Sequence, residues 1–581
     1  MMFDARSPNP PVTPTMRVRS IAAAGVVALA LVLLIGRAFY IQVLRGDEYA
    51  AAAKKQSIRV ETIAGERGRI LDASGGILAC DVPAYSVWLY TPDAGDVQQT
   101  LEILSRRVKF DVEAVRRRIR NGGLFVPVER GISVDVGHAL MDERIAGVHL
   151  LPDQRRVYPL GEAAAALVGA VGFEGHGLNG VEAAYEELLA GRPGRIVTER
   201  DGANRLVRVE VKPDGRPLPG KDLHLTVRAG IQEAAFRALE KARSEFKARA
   251  ASAVVIDAQD GRVLALVCTP SFDPADPGKA HPDAIRLRPV SDAFEPGSSF
   301  KPFVMAAALE LGIVSLDEQW HCGNGAWRFQ GRLLHDAHPY AMLDTWMVVV
   351  KSSNIGMAKV GLRINEKLGY KGFHEIVSAF GFGRPTGVGL PGETPGLLLP
   401  HTQWTSYSVT SIPMGQEIAV SPLQLSLGYA ALVNGGWLHS PRLVDRWEKG
   451  PYREALGHPG KPARVISQDV SDTMRVMLER VVTEGTGKKA QLKEYRVGGK
   501  TGTAQKAEGG VYVDGKYVGS FVGFAPADAP RVVCTVFVDE PGDKYYGGTV
   551  AAPAVREILQ ASMLDLGVPP SPAAASPARS R

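Results

Sequence analysis

From Ser20 to Gly36 seventeen consecutive positions carry no charge, and Arg19 and Arg37 bracket them. A run of that length sits at the short end of the ~17–25 apolar residues a membrane-spanning helix needs. The apolar pattern resumes through Phe39, Tyr40, Ile41, Val43 and Leu44, and flanking arginines can snorkel to the interface. The pattern therefore predicts an anchor helix over 20–44 behind a short cytoplasmic tail, 1–19. Gly36-Arg-Ala-Phe-Tyr40 is a poor cleavage site, so the helix is expected to stay rather than leave as a signal peptide. No second run approaches this length, which predicts a single pass with the bulk of the chain on one side. Charge does not fix the orientation. Arg6, Arg17 and Arg19 precede the run, and Arg37, Arg45, Lys54, Lys55 and Arg59 follow it; a long downstream domain can translocate regardless.

Beyond the anchor, residues 57–222 show short strand patterns rich in Arg and Gly, with no paired catalytic groups. Turn residues from Pro213 to Gly220 mark a boundary. Asp222–Val227 then reads as a strand, and Ile231, Ala234, Ala235, Ala238, Leu239 and Ala242 fall at helical spacing within 229–250. Ser252–Asp257 and Arg262–Val267 are apolar, β-branched runs around Asp260-Gly261, a hairpin signal. Ser520–Ala525 and Arg531–Val538 predict two more strands, and Val550–Leu566 a closing helix. Strands and helices in this order predict an α+β domain over 223–566, an antiparallel sheet covered by helices. The Pro/Ala/Ser-rich stretch 567–581 reads as a disordered tail.

Composition changes the picture little. The 581 residues are 45% hydrophobic and 22% charged, ordinary globular values. The 63 Gly and 39 Pro are about 18% of the chain against a usual ~12%, which predicts many turns. The net charge of +6 comes from 68 basic and 62 acidic residues; spread over this length it is a mixed surface, not the clustered patch that nucleic acid requires. Cys80, Cys268, Cys322 and Cys534 are too few and too scattered for a disulfide scaffold, and His321-Cys322 is a lone dipeptide; no metal and no cofactor are expected.

Three short motifs carry the chemistry. Ser298-Ser-Phe-Lys301 fits S-x-x-K. Roughly one such match is expected by chance, and Ser244-Glu-Phe-Lys247 is a second, in a charged helix. Ser298 differs in setting: Glu-Pro-Gly precedes it and an apolar helix, Phe303–Leu311, follows, with Pro302 tolerable only near a helix start. Ser298 and Lys301 then share one face, a turn apart, at a helix N-terminus. A serine hydroxyl needs a base to become a nucleophile, and a lysine serves only when neutral. Ser352-Ser-Asn354 fits S-x-N, as does Ser7-Pro-Asn9 in the N-terminal tail. Lys500-Thr-Gly-Thr503 fits K-T-G and occurs once; Gly498 and Gly499 before it signal close backbone approach.

In that order the three motifs resemble those of the penicilloyl-serine transferases, the penicillin-binding proteins and serine β-lactamases. Other segments narrow the resemblance to class B penicillin-binding proteins. Gly65-Glu-Arg-Gly-Arg-Ile-Leu-Asp72, Arg156-Val-Tyr-Pro159 and Gly180-Val-Glu182 resemble motifs of that class's N-terminal pedestal, here 57–222. Phe380-Gly-Phe-Gly383, Leu390-Pro-Gly-Glu393, Ser421-Pro-Leu-Gln424, Gly485-Thr-Gly487 and Tyr546-Gly-Gly548 resemble its transpeptidase segments. Two departures fall in the pedestal: Asp72-Ala-Ser-Gly75 where the family has Asp-Arg-x-Gly, and Ala163–Ala166 where a His is common.

The resemblance implies a peptidoglycan D,D-transpeptidase. Ser298 would be the nucleophile and Lys301 its base. Ser352 would relay a proton to the leaving amine, and Asn354 would orient Lys301 and the substrate amide. Lys500, Thr501, Gly502 and Thr503 would bind the terminal carboxylate of a D-Ala-D-Ala stem peptide, with Lys500 also lowering the Lys301 pKa. Backbone N–H groups of Ser298 and Thr503 would form an oxyanion hole, worth roughly 3–4 kcal/mol per donor in acyl transfer. The implied partners are stem peptides on lipid-linked precursor strands, β-lactams, a polytopic wall glycosyltransferase and division-complex membrane proteins. A β-lactamase needs neither pedestal nor anchor and needs a base for deacylating water that no motif supplies. A β-lactam sensor would carry several spans, and an idle scaffold would not keep Ser298, Lys301, Ser352 and Lys500. Within class B, Asp514-Gly-Lys-Tyr517 and Lys544-Tyr-Tyr-Gly-Gly548 look more like the septal than the elongation enzyme.

Overall fold

The computed structural model describes residues 13–63, 65–200, 206–211, 215–456 and 460–570, without the side chains of 52–63, 196–200, 206–211 and 508. Ser7-Pro-Asn9 and 571–581 lie outside the described residues. The chain divides into two compact units, Met1–Gly65 with Arg192–Leu218, and Glu66–Gly191 with Pro219–Arg581.

In the first unit, α1 (Pro14–Phe39) continues through a π-helical turn at Tyr40–Leu44. At 1.5 Å per residue the 31 residues Pro14–Leu44 reach about 46 Å, past the ~30 Å hydrocarbon core of a bilayer. Val26, Leu31, Leu34 and Ile35 along it are all exposed, as lipid-facing side chains are. Strands Ile58–Ile63, Gly194–Arg200 and Leu206–Val211 form a small antiparallel sheet in the same unit.

In the second unit, the strand Ile77–Tyr90 pairs on one edge with Phe125–Ile132 and on the other with Val148–Val157. One face buries Val87, Leu89, Val126 and Val128 against Leu101, Leu104 and Val115 of two short helices. Asp96 and Asp111 cap those helices by accepting from their first backbone N–H groups. The three pedestal motifs converge on one buried ion network. Arg67 pairs with Glu182 and Glu186 at 2.6 Å each, and Arg156 reaches Glu182 at 2.8 Å and Asp81 at 3.1 Å. Asp72 accepts from Ser74, Gly76 and Ala229 N–H groups, so its turn closes without the family's Arg. The Ala163–Ala166 run is fully buried, and Ala163 C=O accepts from Gln232 Nε2 at 2.8 Å; small side chains let the backbone approach.

The rest of this unit is built on a five-stranded antiparallel sheet. Its strands are β1 (Ala250–Asp257), β2 (Val263–Thr269), β3 (Gly498–Glu508), β4 (Val511–Ala525) and β5 (Val532–Asp539), in the order β2-β1-β5-β4-β3. Every residue of β1, β2 and β5 is buried, because helices cover both faces. Ala253, Val255 and Val536 pack against α2 (Ala229–Glu245) and the C-terminal helix Ala552–Asp565. Val254, Ile256 and Phe537 pack on the other side with α3 (Lys301–Glu310) and α5 (Pro422–Val433). This explains the continuous apolar runs, where a one-faced antiparallel sheet would alternate. Between α3 and α5 lies α4 (Asn354–Ala379). Ser421 opens α5 with a capping box to Gln424. The spacing that carried α2 to Ala250 overran: the helix stops at Glu245, Lys247 turns left-handed (φ 49°), and Ala250 begins β1 opposite Asp539. Sheet pairing overrides helix propensity there.

Candidate active site

The S-x-x-K residues occupy a tight turn. Gly297–Phe300 is a 3₁₀ turn, and Lys301 is the first residue of α3. The turn is held from three sides: Gly297 N–H donates to Gly415 C=O at 3.1 Å, Ser299 Oγ donates to Pro296 C=O at 2.7 Å, and Tyr429 OH donates to Ser299 C=O at 2.5 Å. Beneath it, Phe300 and Phe303 pack ring-on-ring with Phe380 and Phe382. The Phe-Gly-Phe-Gly segment thus supports the catalytic helix.

Lys301 is fully buried. Its Nζ donates to Ser352 C=O and Asn354 Oδ1, both at 2.7 Å, and approaches Ser352 Oγ at 3.2 Å. Ser352 takes a left-handed backbone (φ 61°), a costly conformation for a non-glycine residue that marks a constrained site. That kink lets both its C=O and its hydroxyl face Lys301. Asn354 begins α4, whose N-cap is Ser353. From the other side Lys500, also fully buried on β3, donates to Ser352 Oγ at 2.9 Å. The three motifs thus meet around one hydroxyl. Ser298 Oγ makes no hydrogen bond among the described residues; the amine of Lys301 is turned to Ser352 and Asn354. A nucleophile–base contact that tightens only with substrate is ordinary for an unliganded site.

Electrostatics follow from burial. Desolvation lowers the Lys301 pKa to about 7, opposed by the Asp336 carboxylate. Lys500 is pushed well down by burial and then by the charge of Lys301. Repulsion between like charges is mutual, so this is the coupling expected between the two lysines, and at most one of them carries a full ammonium comfortably.

β3 is an edge strand, and the turn before α3 lies against it. A Cβ on Gly502 would stand 2.6 Å from Pro296 O, and one on Gly297 2.7 Å from Thr503 O. Gly498 and Gly499 are glycines for the same kind of reason, facing the Phe524 ring and the Val522 C=O. Behind the Thr501 and Thr503 hydroxyls sit two more family-like segments: Thr486 Oγ1 lies 2.8 Å from Thr501 Oγ1, and Gly547 N–H donates to Thr503 Oγ1 at 3.1 Å.

Asp336 escaped sequence reasoning. It accepts from Ser353 Oγ at 2.6 Å, from Ile355 N–H at 3.0 Å and from Asn354 N–H, fixing the start of α4 and with it the S-x-N turn. His335 C=O accepts from Asn354 Nδ2 at 2.8 Å. No local pattern marks an aspartate that acts on residues sixteen or more positions later. The rival Ser244 and Lys247 are both exposed, and Lys247 lies beyond the helix end; nothing gathers around them.

A serine at the head of an apolar helix, beside a buried lysine of depressed pKa and a second Ser–Lys pair, defines a serine acyl-transfer site. Comparison with known proteins is more specific. Residues 251–560 match the penicillin-binding protein transpeptidase domain, and residues 62–225 the penicillin-binding protein dimerisation domain. The probable peptidoglycan D,D-transpeptidase PenA of Neisseria gonorrhoeae is 32% identical over 550 residues, 94% of this chain and 92% of the relative. The peptidoglycan D,D-transpeptidase FtsI of Escherichia coli is 30% identical over 94% of this chain and 91% of its own. The structure of penicillin-binding protein 3 of Mycobacterium tuberculosis, complexed with aztreonam, superposes with a TM-score of 0.68 at 27% identity, covering 88% of this chain and 98% of that one. The chain belongs to the penicillin-binding protein transpeptidase family, and its dimerisation domain makes it a class B member. The resemblance read from the motifs is borne out.

Proposed function

We propose that the chain cross-links peptidoglycan stem peptides through a Ser298 acyl-enzyme, on the extracytoplasmic side of a membrane anchored by α1, during septal wall synthesis. The observation that carries the chemistry is the Ser352 hydroxyl held between Lys301 and Lys500, one motif from each of three separate chain segments. Neutral Lys301 takes the Ser298 proton as Oγ attacks the penultimate D-Ala carbonyl. The tetrahedral oxyanion lies against the backbone N–H groups of Ser298 and Thr503. As the C–N bond breaks, the proton passes through Ser352 to the leaving D-Ala amine. An amine of a neighbouring stem then attacks the ester, loses its proton to the same pair and frees Ser298. Lys500, Thr501 and Thr503 bind the substrate carboxylate, and Gly502 keeps the strand open to it. β-Lactams imitate the dipeptide and stop at the acyl stage.

Release of D-Ala from a stem-peptide donor, with transfer to an added amine, tests this reading. Loss of both in Ser298→Ala supports it, and persistence in that variant refutes it. A reporter joined after Arg581 that works only when exported tests the topology.

The septal assignment rests on the Asp514–Tyr517 and Lys544–Gly548 loops. By family analogy, the membrane partners are a polytopic wall glycosyltransferase and division-complex proteins. Depletion is expected to leave growth in mass intact while septa fail, so that cells filament or chain. Rounding with normal septation would point to the elongation role, and rescue by Ser298→Ala to a scaffold.

A further inference from the structure

Away from Ser298 the second unit holds a cavity of about 300 Å³, at the lower end of the ~300–1,000 Å³ of small-molecule sites. It opens between the end of α4, the loop after Gly383, α5 and the strand pair Trp437–Leu438 with Ala463–Arg464. Its floor is apolar, formed by Phe380, Leu427 and Leu438, and its rim carries Arg384, His439 and Lys461. No Asp or Glu lines it. None of the residues of the S-x-x-K, S-x-N or K-T-G motifs lines it either.

The Arg384 and Lys461 side chains make no hydrogen bond or ion pair with any described residue; only the Arg384 backbone C=O is engaged, by Gln424. The carboxylates nearest in effect to His439, Asp257 and Asp260, are engaged elsewhere: Asp257 with Arg262 and Arg531 at 3.0 Å each, and Asp260 with Arg262 at 2.8 Å. The C-terminal end of α4 supplies about half a negative charge, and Glu393, one residue behind the lining and held by the Thr386 and Gly387 N–H groups, one full charge, against two full positive charges on Arg384 and Lys461.

The walls are also pre-formed. Gln424, which is buried, accepts from Ser421 N–H and donates to Arg384 C=O at 2.8 Å and Pro395 C=O at 2.9 Å. Glu393 accepts from the N–H groups of Thr386 and Gly387. The backbone that carries Arg384 is therefore pinned from below, and ordering it costs a ligand nothing.

We propose that this cavity binds a small anionic ligand, with a carboxylate or phosphate between Arg384 and Lys461 and an apolar or sugar-sized body on the Phe380 floor. Arg384 and Lys461 line one cavity and neither side chain is ion-paired with a described residue. An anion supplies both with a partner, and a planar guanidinium takes carboxylate or phosphate oxygens in pairs. This site is independent of the transpeptidase assignment.

The test is titration calorimetry on the full chain in detergent, with N-acetylmuramic acid as the carboxylate probe and inorganic phosphate as the other, before and after acylation by penicillin. The expected result is saturable one-to-one binding of at least one probe, unchanged by acylation. It should weaken at least ten-fold in the Arg384→Gln/Lys461→Gln variant, whose melting temperature and penicillin labelling match the parent. Binding of N-acetylmuramic acid alone identifies a carboxylate ligand, phosphate alone a phosphorylated one, and both the anion itself as what is read. No saturable binding of either probe, undiminished binding in the double variant, or loss of binding on acylation overturns the proposal.

Discussion

Lys301 and Lys500 flank a single hydroxyl: Ser352 Oγ lies 3.2 Å from one amine nitrogen and 2.9 Å from the other. Two buried amines on one hydroxyl cannot both stay protonated at neutral pH without cost. On the proposed mechanism the site therefore contains its own base before substrate arrives. A neutral amine donates only two hydrogen bonds, which Ser352 C=O and Asn354 Oδ1 accept, and its lone pair is left for a serine proton.

The pH dependence follows with a definite sign. In the proposed mechanism Lys301 acts when deprotonated, and its pKa is lowered to about 7. The second-order rate of acylation by a fluorescent penicillin should rise as pH increases through that value and then level off. A flat profile between about pH 5.5 and 8.5 would exclude Lys301 as the titrating base.

Asp336 raises the Lys301 pKa and holds the first N–H groups of α4. Asp336→Asn should therefore move the acylation limb to lower pH, and it should cost about 1–2 kcal/mol of stability through the lost cap. Thermal unfolding and the pH profile together check this. A merely structural role would lower the melting temperature and leave the limb where it was.

Labelling discriminates the two S-x-x-K matches. Ser298→Ala should abolish covalent penicillin labelling while Ser244→Ala leaves it at the parent level, since Ser244 is exposed and its hydroxyl bonds no described residue. Labelling that survives Ser298→Ala moves the nucleophile elsewhere.

Gly547 sits where a side chain cannot. A Cβ there would lie 2.0 Å from Ser520 O and 2.2 Å from Gly502 O. Gly547→Ala must push the helix start away from β3, withdrawing the N–H that Thr503 Oγ1 accepts. Overpacking of this kind costs typically 1–3 kcal/mol. The expected readout is a lower melting temperature with acylation slowed at least ten-fold, and wild-type acylation would show that Thr503 needs no such support.

In the pedestal, Glu182 is fully buried between Arg67 and Arg156. Glu182→Gln removes the shared carboxylate but leaves Arg67 with Glu186 and Arg156 with Asp81, so the loss should fall at the low end of the about 3–5 kcal/mol that breaking a buried pair costs. Denaturant unfolding should show that loss. A change within experimental error would mean that the network is solvated in solution.

The sequence by itself determined the elements whose signal is local. The anchor is legible because lipid and length impose a continuous apolar run. The hairpin around Asp260-Gly261 is legible because turn chemistry and β-branched runs sit side by side. S-x-x-K, S-x-N and K-T-G are legible because each places its groups within one turn or one strand. Only the tertiary structure decided what brings them together. That Lys301 points at Ser352 rather than Ser298 depends on the left-handed backbone of Ser352 and on Asp336. The depressed lysine pKa is a property of burial that no neighbouring residue in the chain reports. The end of α2 belongs to the same class: Ala250 has the propensity of a helix residue, and it is a strand residue because Asp539 pairs with it from the far end of the chain. Periodicity carries information over a few turns, whereas sheet partners and desolvation are set by residues hundreds of positions away.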